Sequence, residues 1–463
     1  MIDYKDVFIS YGRAESKTFA TKVHDQLVAK GYGVWFDQND IPLAVDFQSQ
    51  IDDGITKAHT FVFIISPHAI KSPYCLKEIE LAVKLNKRII PILHVEPDEQ
   101  EIWDKLHPTI AKLNWIYMRQ KWESHLVQAD YPELDNFDFA FQNLVELLEK
   151  HKEYVHLHTK TLVTALRWER NQRQSKFLLV GEERLIAEKW LLQEFPAQQA
   201  PCIPTDSHCH YICEAKKNAE NMMTDAFISC AIEDKEIRAE VTTALARHAI
   251  TTWISEQDLK SGQDQSATYR GIEKADNFIF FISKESSVSI SCLKELKHAS
   301  NLNKRIIPLM IETLEEYEIP KRVRNTKYID FTDNVIAANF DEDIDDLLNE
   351  LNKEADYYHK HKSVMVQGLK WERQNRNDSI LLRGYNLQHA QDWLRVAKRH
   401  ANHPPLPIHE EFIEQSYANS AHVNTEVFIS YSRTDGDFAR KLNDELQIHG
   451  KNTWFDQESI SPS

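Results

Sequence analysis

Short, uninterrupted apolar runs alternate along this chain with segments of helical period. The first set of runs falls at 6–10, 33–36, 61–65, 88–93 and 114–117. Helical stretches near 16–30, 46–58, 74–86 and 98–112 separate them, and a last helix is predicted over about 137–152, with Phe141, Leu144, Val145 and Leu148 on one face. Strands that are apolar throughout belong to sheets covered on both faces, and intervening helices make such sheets parallel. Five strands in this length predict a flavodoxin-like three-layer α/β domain.

The pattern then repeats. Asp6-Val7-Phe8-Ile9-Ser10-Tyr11 returns as Asp225-Ala226-Phe227-Ile228-Ser229-Cys230 and again as Glu426-Val427-Phe428-Ile429-Ser430-Tyr431. Trp35, Trp253 and Trp454 follow at nearly constant distance, and Cys75-Leu76-Lys77-Glu78-Ile79 returns as Cys292-Leu293-Lys294-Glu295-Leu296. The connecting segments repeat too, Leu166-Arg167-Trp168-Glu169-Arg170 matching Leu369-Lys370-Trp371-Glu372-Arg373. A tandem array is therefore expected: α/β domains at 1–152 and 224–352, packed helical linker modules at 153–223 and 353–424, and a truncated third domain at 425–463. The last has two predicted strands and one helix, too little to close a core, so it is expected to be poorly ordered or docked on another copy.

Chemistry points to Ser66–Glu78, which follows the apolar run Phe61-Val62-Phe63-Ile64-Ile65. A strand feeding a loop and then a helix is where doubly wound proteins hold ligands. Leu76, Ile79 and Val83 predict the core-facing stripe of that helix, leaving Glu78 in line with the small residues Cys75 and Ala82. Glu78 is the candidate working group; the alternative is a solvated carboxylate on a helix face.

Composition narrows the options. The formal charge of −16 leaves no basic face to release counterions, which argues against nucleic acid and anionic membranes as partners. No apolar run approaches bilayer length, and the start, Met1-Ile2-Asp3-Tyr4-Lys5-Asp6, carries no signal-peptide architecture. Six irregularly spaced cysteines read as reduced thiols in a cytoplasmic setting. Cys202, His208, Cys209, His210 and Cys213 crowd together but match no metal spacing, so no metal is assigned. No Gly-rich phosphate loop is present, which excludes P-loop motors and Rossmann dehydrogenases.

With these motifs in place the chain resembles the TIR (Toll/interleukin-1 receptor) domain family in its bacterial style. Phe8-Ile9-Ser10-Tyr11 is similar to the family's first box, and Trp35-Phe36-Asp37 with Asp40-Ile41-Pro42 to the loop after its second strand. Ser66, Ser72 and Tyr74-Cys75-Leu76-Lys77-Glu78 are similar to its serine-aromatic-cysteine-x-x-glutamate segment. The resemblance implies self-assembly through TIR–TIR contacts into a homo-oligomer and, in a subset of the family, hydrolysis of NAD at the nicotinamide–ribose bond by the glutamate matching Glu78. The expected function is an intracellular signalling or innate-immunity effector with NAD as substrate and no further cofactor. The alternative is a non-catalytic interaction scaffold.

Within that frame Tyr74 is a candidate to stack on a substrate ring, with a plain interhelical contact as the alternative. Ser10 and Arg13 lie at the first strand's end within reach of phosphates, with a surface charge as the alternative for Arg13, and Tyr11 joins the substrate-binding set. Trp35, Ser66 and Ser72 complete the substrate-binding set, with Asp37 opening the loop to Ala44, where Leu43-Ala44 stands in place of the family's Pro-Gly. The second copy keeps Glu295 but has Cys230, Ile232, Ser255 and Ser291 at the positions of Tyr11, Arg13, Asp37 and Tyr74, so it is expected to be a weakened or inactive partner.

Overall fold

A computed structural model describes residues 2–36, 47–119, 136–254, 265–334, 337–400, 402–419, 426–432 and 435–455. Its contacts divide the chain into two compact units, one of residues 1–177 and 192–208, the other of 178–191 and 209–463. The division falls within the predicted first linker, 153–223.

The first unit holds a sheet of five parallel strands: β1 Lys5–Tyr11, β2 Val34–Trp35, β3 Ala58–Ile65, β4 Arg88–Leu93 and β5 Ile116–Tyr117, in the order β2-β1-β3-β4-β5. That is the flavodoxin-like order expected from the sequence. Every residue of β3 is buried, as its unbroken apolar run requires of a central strand. One sheet face, carrying Val7, Ile9 and Ile64, packs on Ala20, Val23 and Leu27 of the Arg13–Ala29 helix and on Leu144 and Leu148 of Phe137–Glu149. The other, carrying Phe8, Phe61 and Phe63, packs on the helices Phe47–Lys57 and Pro73–Lys84 and on Leu162 of the linker helix Lys152–Arg170.

The helix expected over 98–112 is instead two single turns, Gln100–Trp103 and Pro108–Ala111. Pro108 forces the preceding His107 out of helical geometry, and the His107 ring then caps the new turn by accepting from the Thr109 amide at 3.2 Å.

The second unit repeats the sheet with β6 Thr224–Ser229, β7 Thr252–Ile254, β8 Ala275–Ile282, β9 Arg305–Met310 and β10 Ile329–Asp330, in the equivalent order β7-β6-β8-β9-β10. Its linker helices, Ala355–Arg373, Gly384–Ala397 and Pro407–Asn419, close a small core around Trp371, Trp393 and Phe412. The third copy contributes β11 Val427–Ile429, the helix Gly436–Ile448 and β12 Thr453–Phe455. Rather than standing alone, it docks within this unit: Arg184 pairs with Asp437, Lys370 with Asp444 at 3.3 Å, and Arg440 donates to the Ala219 carbonyl at 2.6 Å. Among the described residues no helix is long and apolar enough to cross a membrane.

Candidate active site

In this strand order the chain leaves β1 and β3 toward opposite sides, opening a crevice beyond their carboxyl ends. Ser10 and Tyr11 end β1 there. Past β3, Ser66 caps the turn Pro67–Lys71 by accepting from the Ala69 amide, and Ser72 caps Pro73–Lys84 by accepting from the Cys75 amide, each at 3.3 Å. Proline at the first position of each helical segment fits a site whose N–H has no helical partner. The Cys75 thiol donates to the Tyr11 carbonyl at 3.6 Å and pins the helix start to the end of β1.

The buried face of Pro73–Lys84 differs from the predicted stripe. It consists of Cys75, Ile79 and Ala82, whereas Leu76 is exposed. Of the predicted stripe Ile79 is buried and Val83 packs partly buried on the same core, whereas close approach of helix to sheet puts the small Cys75 and Ala82 where hydrophobicity alone favours Leu76. Glu78 is thereby turned toward the crevice, half-buried. The Ser10 hydroxyl donates to Glu78 Oε2 over 2.6 Å, a short bond of the kind made to carboxylates.

Around this pair lies a cavity of about 360 Å³, lined by Ser10, Tyr11, Arg13, Trp35, Ser72, Tyr74 and Glu78. That size falls in the usual range for small-molecule sites. Seven of the sequence candidates therefore meet in one place. Trp35 is the floor, stacked on Phe8 at 4.4 Å and otherwise buried. Tyr74, 59% exposed, forms the rim with Phe47, whose ring meets it edge-on at 6.3 Å. Ser66 does not line the cavity; it is buried and its oxygen serves the helical turn. Asp37 lies outside the described residues.

Sequence reasoning missed Phe47, Ile51 and His68, which also line the cavity. Phe47 and Ile51 lie on the stretch 46–58, read only as a helix, and His68 lies within Ser66–Glu78 but is not singled out there.

The second copy repeats the central bond, Ser229 donating to Glu295 Oε2 over 2.6 Å. Glu295, however, is only 4% exposed. A larger cavity of about 800 Å³ lies in this unit beside Glu273, Lys370, Arg373 and Asp444. Its charges answer one another, Arg373 reaching both oxygens of Glu273 at 2.9 and 2.6 Å. It gathers none of the candidate residues. The crowded Cys202–Cys213 segment is likewise structural: His208 bonds Thr205 at 2.7 Å and the His158 carbonyl at 2.8 Å, and Cys202, Cys209 and Cys213 are buried thiols.

Comparison with known proteins agrees with this architecture. The family model described as TIR domain matches residues 7–129, 226–348 and 427–463, more than half of the chain. The chain belongs to the TIR-domain family. It is a tandem TIR protein, and the matched ranges coincide with the two sheets and the partial third one. Among curated TIR relatives it is 25% identical over 169 residues to the probable 2' cyclic ADP-D-ribose synthase BdTIR of Brachypodium distachyon, covering 35% of this chain and 73% of the relative. It is 27% identical over 94 residues to the NAD(+) hydrolase TcpC of Escherichia coli, covering 19% of this chain and 31% of that protein. The NAD(+) hydrolase TcpA of a Theionarchaea archaeon is 25% identical over 93 residues, 19% of this chain and 28% of its own. The chain thus spans about three-tenths of the length of the last two.

Proposed function

We propose that the first TIR copy cleaves NAD at the nicotinamide–ribose bond, and that the tandem array acts as an assembly-activated signalling or defence effector. The observation that carries the reading is the Ser10–Glu78 pair facing a cavity at the switch point of the sheet. Nicotinamide leaves as a neutral molecule from a cationic ring, so the enzyme has chiefly to stabilise an oxocarbenium-like ribose. One carboxylate held beside the sugar supplies that charge complementarity. Glu78 has this role, Ser10 fixes its orientation, Tyr74 and Phe47 offer ring faces at the rim, and Arg13 offers a cation to phosphate. The names of the three relatives support this reaction class.

The second copy acts as a partner and not a catalyst, because its buried Glu295 has Ser291 where the first copy has Tyr74. Linked copies raise the local concentration of assembling domains, which suits activation by association. The test is nicotinamide release from NAD by the concentrated full chain and by its Glu78→Ala variant. Release by the wild type that is abolished in the variant supports the reading. Equal release by both, or none by either in the assembled state, leaves the scaffold function in its place.

A further inference from the structure

We propose that the first copy carries a site for a divalent transition-metal ion such as Zn²⁺, formed by Asp6, His59 and His156 at the opposite end of the sheet from the cavity. Asp6 is the second residue of β1 and His59 the second of β3; the two strands pair in parallel, Lys5 against Ala58 and Val7 against Thr60, which sets these side chains next to each other. His156 comes from the linker helix Lys152–Arg170. One ligand atom from each of the three residues lies within 4.8 Å of the other two.

The group is prepared for a ligand in two respects. His59 is 5% exposed, and its Nδ1 is buried with no hydrogen-bond partner among the described residues. A buried ring nitrogen left unpaired is unfavourable, and coordination would relieve it. Asp6 accepts from the Gly33 amide on Oδ2 at 2.8 Å while Oδ1 faces His156 Nε2 at 3.5 Å. One carboxylate oxygen is thus fixed by the backbone and the other is turned to the cluster, as outer contacts do for metal-binding carboxylates.

The second copy provides an internal control. Asp225, Asp276 and His359 occupy the same three positions, and there the positive charge is built in. Lys362 Nζ lies 2.9 Å from Asp276 Oδ1, close though poorly aligned for a hydrogen bond, and donates to the Thr224 carbonyl at 3.1 Å. Lys216 Nζ lies 3.2 Å from Asp225 Oδ2. In the first copy Thr159 stands at the position of Lys362 and His59 at that of Asp276. The exchange removes an ammonium–carboxylate pair and puts an imidazole there. A neutral nitrogen ligand replaces a fixed cation and its counter-charge. Two imidazoles and one carboxylate suit zinc and its transition-metal neighbours, whereas calcium and magnesium prefer oxygen throughout.

The two imidazoles now stack, 3.7 Å between centroids and 18° between planes. A coordinated ion lies in the plane of each ring that binds it, so one ring has to turn. His59 is held in the sheet beneath Tyr4, stacked at 5.8 Å. His156, with a quarter of its side chain exposed, is the one that turns. The ion would then tie the linker helix to the first strands of the sheet.

The test uses the full chain freed of metal by a chelator, titrated with Zn²⁺ by calorimetry and with Co²⁺ by absorption. The expected result is one equivalent bound, a cobalt spectrum without a sulfur-to-metal charge-transfer band, and a higher thermal transition with zinc. His156→Ala is expected to weaken binding by at least ~10–100-fold and to abolish the thermal shift. The isosteric Asp6→Asn is the second variant should His156→Ala misfold, with the same expectation. Absence of stoichiometric binding, unchanged affinity in the folded variant, or a charge-transfer band placing the ion on cysteines overturns the proposal.

Discussion

The Ser10 hydroxyl donates to Glu78 Oε2 over 2.6 Å, so the next-to-last residue of β1 holds the carboxylate of a helix that begins more than sixty residues later. Hydrogen bonds to charged groups contribute more than neutral ones, roughly 1.5–3 kcal/mol. If that bond orients the carboxylate for catalysis, Ser10→Ala should slow nicotinamide release roughly tenfold or more, and it should lower the thermal transition of the first copy only within that contribution, because the half-buried Glu78 regains water. The equivalent Ser229→Ala strips a partner from the more deeply buried Glu295 and should destabilise the second copy more than Ser10→Ala destabilises the first. Steady-state kinetics and thermal melts on both variants separate the two roles, and an unaltered rate in Ser10→Ala would remove Ser10 from the mechanism.

The cavity floor depends on a missing side chain. A Cβ built on Gly54 would sit 2.7 Å from the Trp35 ring, and one on Gly271 would sit 2.6 Å from the Trp253 ring. Alanine normally favours a helix over glycine by up to about 1 kcal/mol. Overpacking against a buried indole costs about 1–3 kcal/mol, so the clash wins. Gly54→Ala should lower the denaturant midpoint of the first copy and blunt substrate binding by displacing Trp35. Chemical denaturation followed by tryptophan emission reads the first effect, and a midpoint equal to or above wild type would show that Trp35 moves aside at no cost.

Much of this fold is legible in the sequence. β3 and β8 carry the unbroken apolar runs Phe61–Ile65 and Phe278–Ile282, and both are fully buried central strands. Repetition of Phe-Ile-Ser and of Cys-Leu-Lys-Glu marked the residues that form the Ser10–Glu78 and Ser229–Glu295 pairs. What sequence could not give was packing distance. The helix of Glu78 buries Cys75 and Ala82 because small residues allow close approach to the sheet, and hydrophobicity alone favoured Leu76. Long-range groupings escaped for a related reason. Asp6, His59 and His156 come from two strands and a linker helix, so no local spacing announces them.

Acid should weaken the protein before its carboxylates titrate. Burial pushes His94, His208 and His409 each down to about 4 in the folded chain, against about 6.5 when unfolded. Between those values the unfolded chain binds more protons, so stability is full above pH ~6.5 and is lost progressively as the pH falls toward 4. The lowered carboxyls of Asp6 and Asp225 act in the same direction at still lower pH. Urea midpoints measured from pH 7.5 to 4.5 should fall steadily, and a flat profile would mean that these histidines are protonated in place.

The docked third copy makes the last prediction. Asp437, in the first turn of Gly436–Ile448, pairs through Oδ1 with Arg184 Nη2 at 3.3 Å and accepts from the Gly181 amide at 2.9 Å, with both side chains buried. Burial alone would raise the Asp437 carboxyl, but the Gly181 amide and the Arg184 guanidinium outweigh it and hold the group below its ordinary value. Two strands and a helix cannot close a core, so this pair and its neighbours carry the order of the segment. Arg184 keeps Glu188 at 2.5 Å when Asp437 is removed, so the loss is the charge-assisted bonding to Asp437, roughly 1.5–3 kcal/mol. Asp437→Ala should therefore release the helix from its seat, and hydrogen exchange at the amides of 436–448 should accelerate at least tenfold. Exchange in the Arg13–Ala29 helix of the first copy serves as the reference and should not change. Equal protection of 436–448 in the variant and the wild type would show that the third copy is held by its apolar contacts and not by this pair.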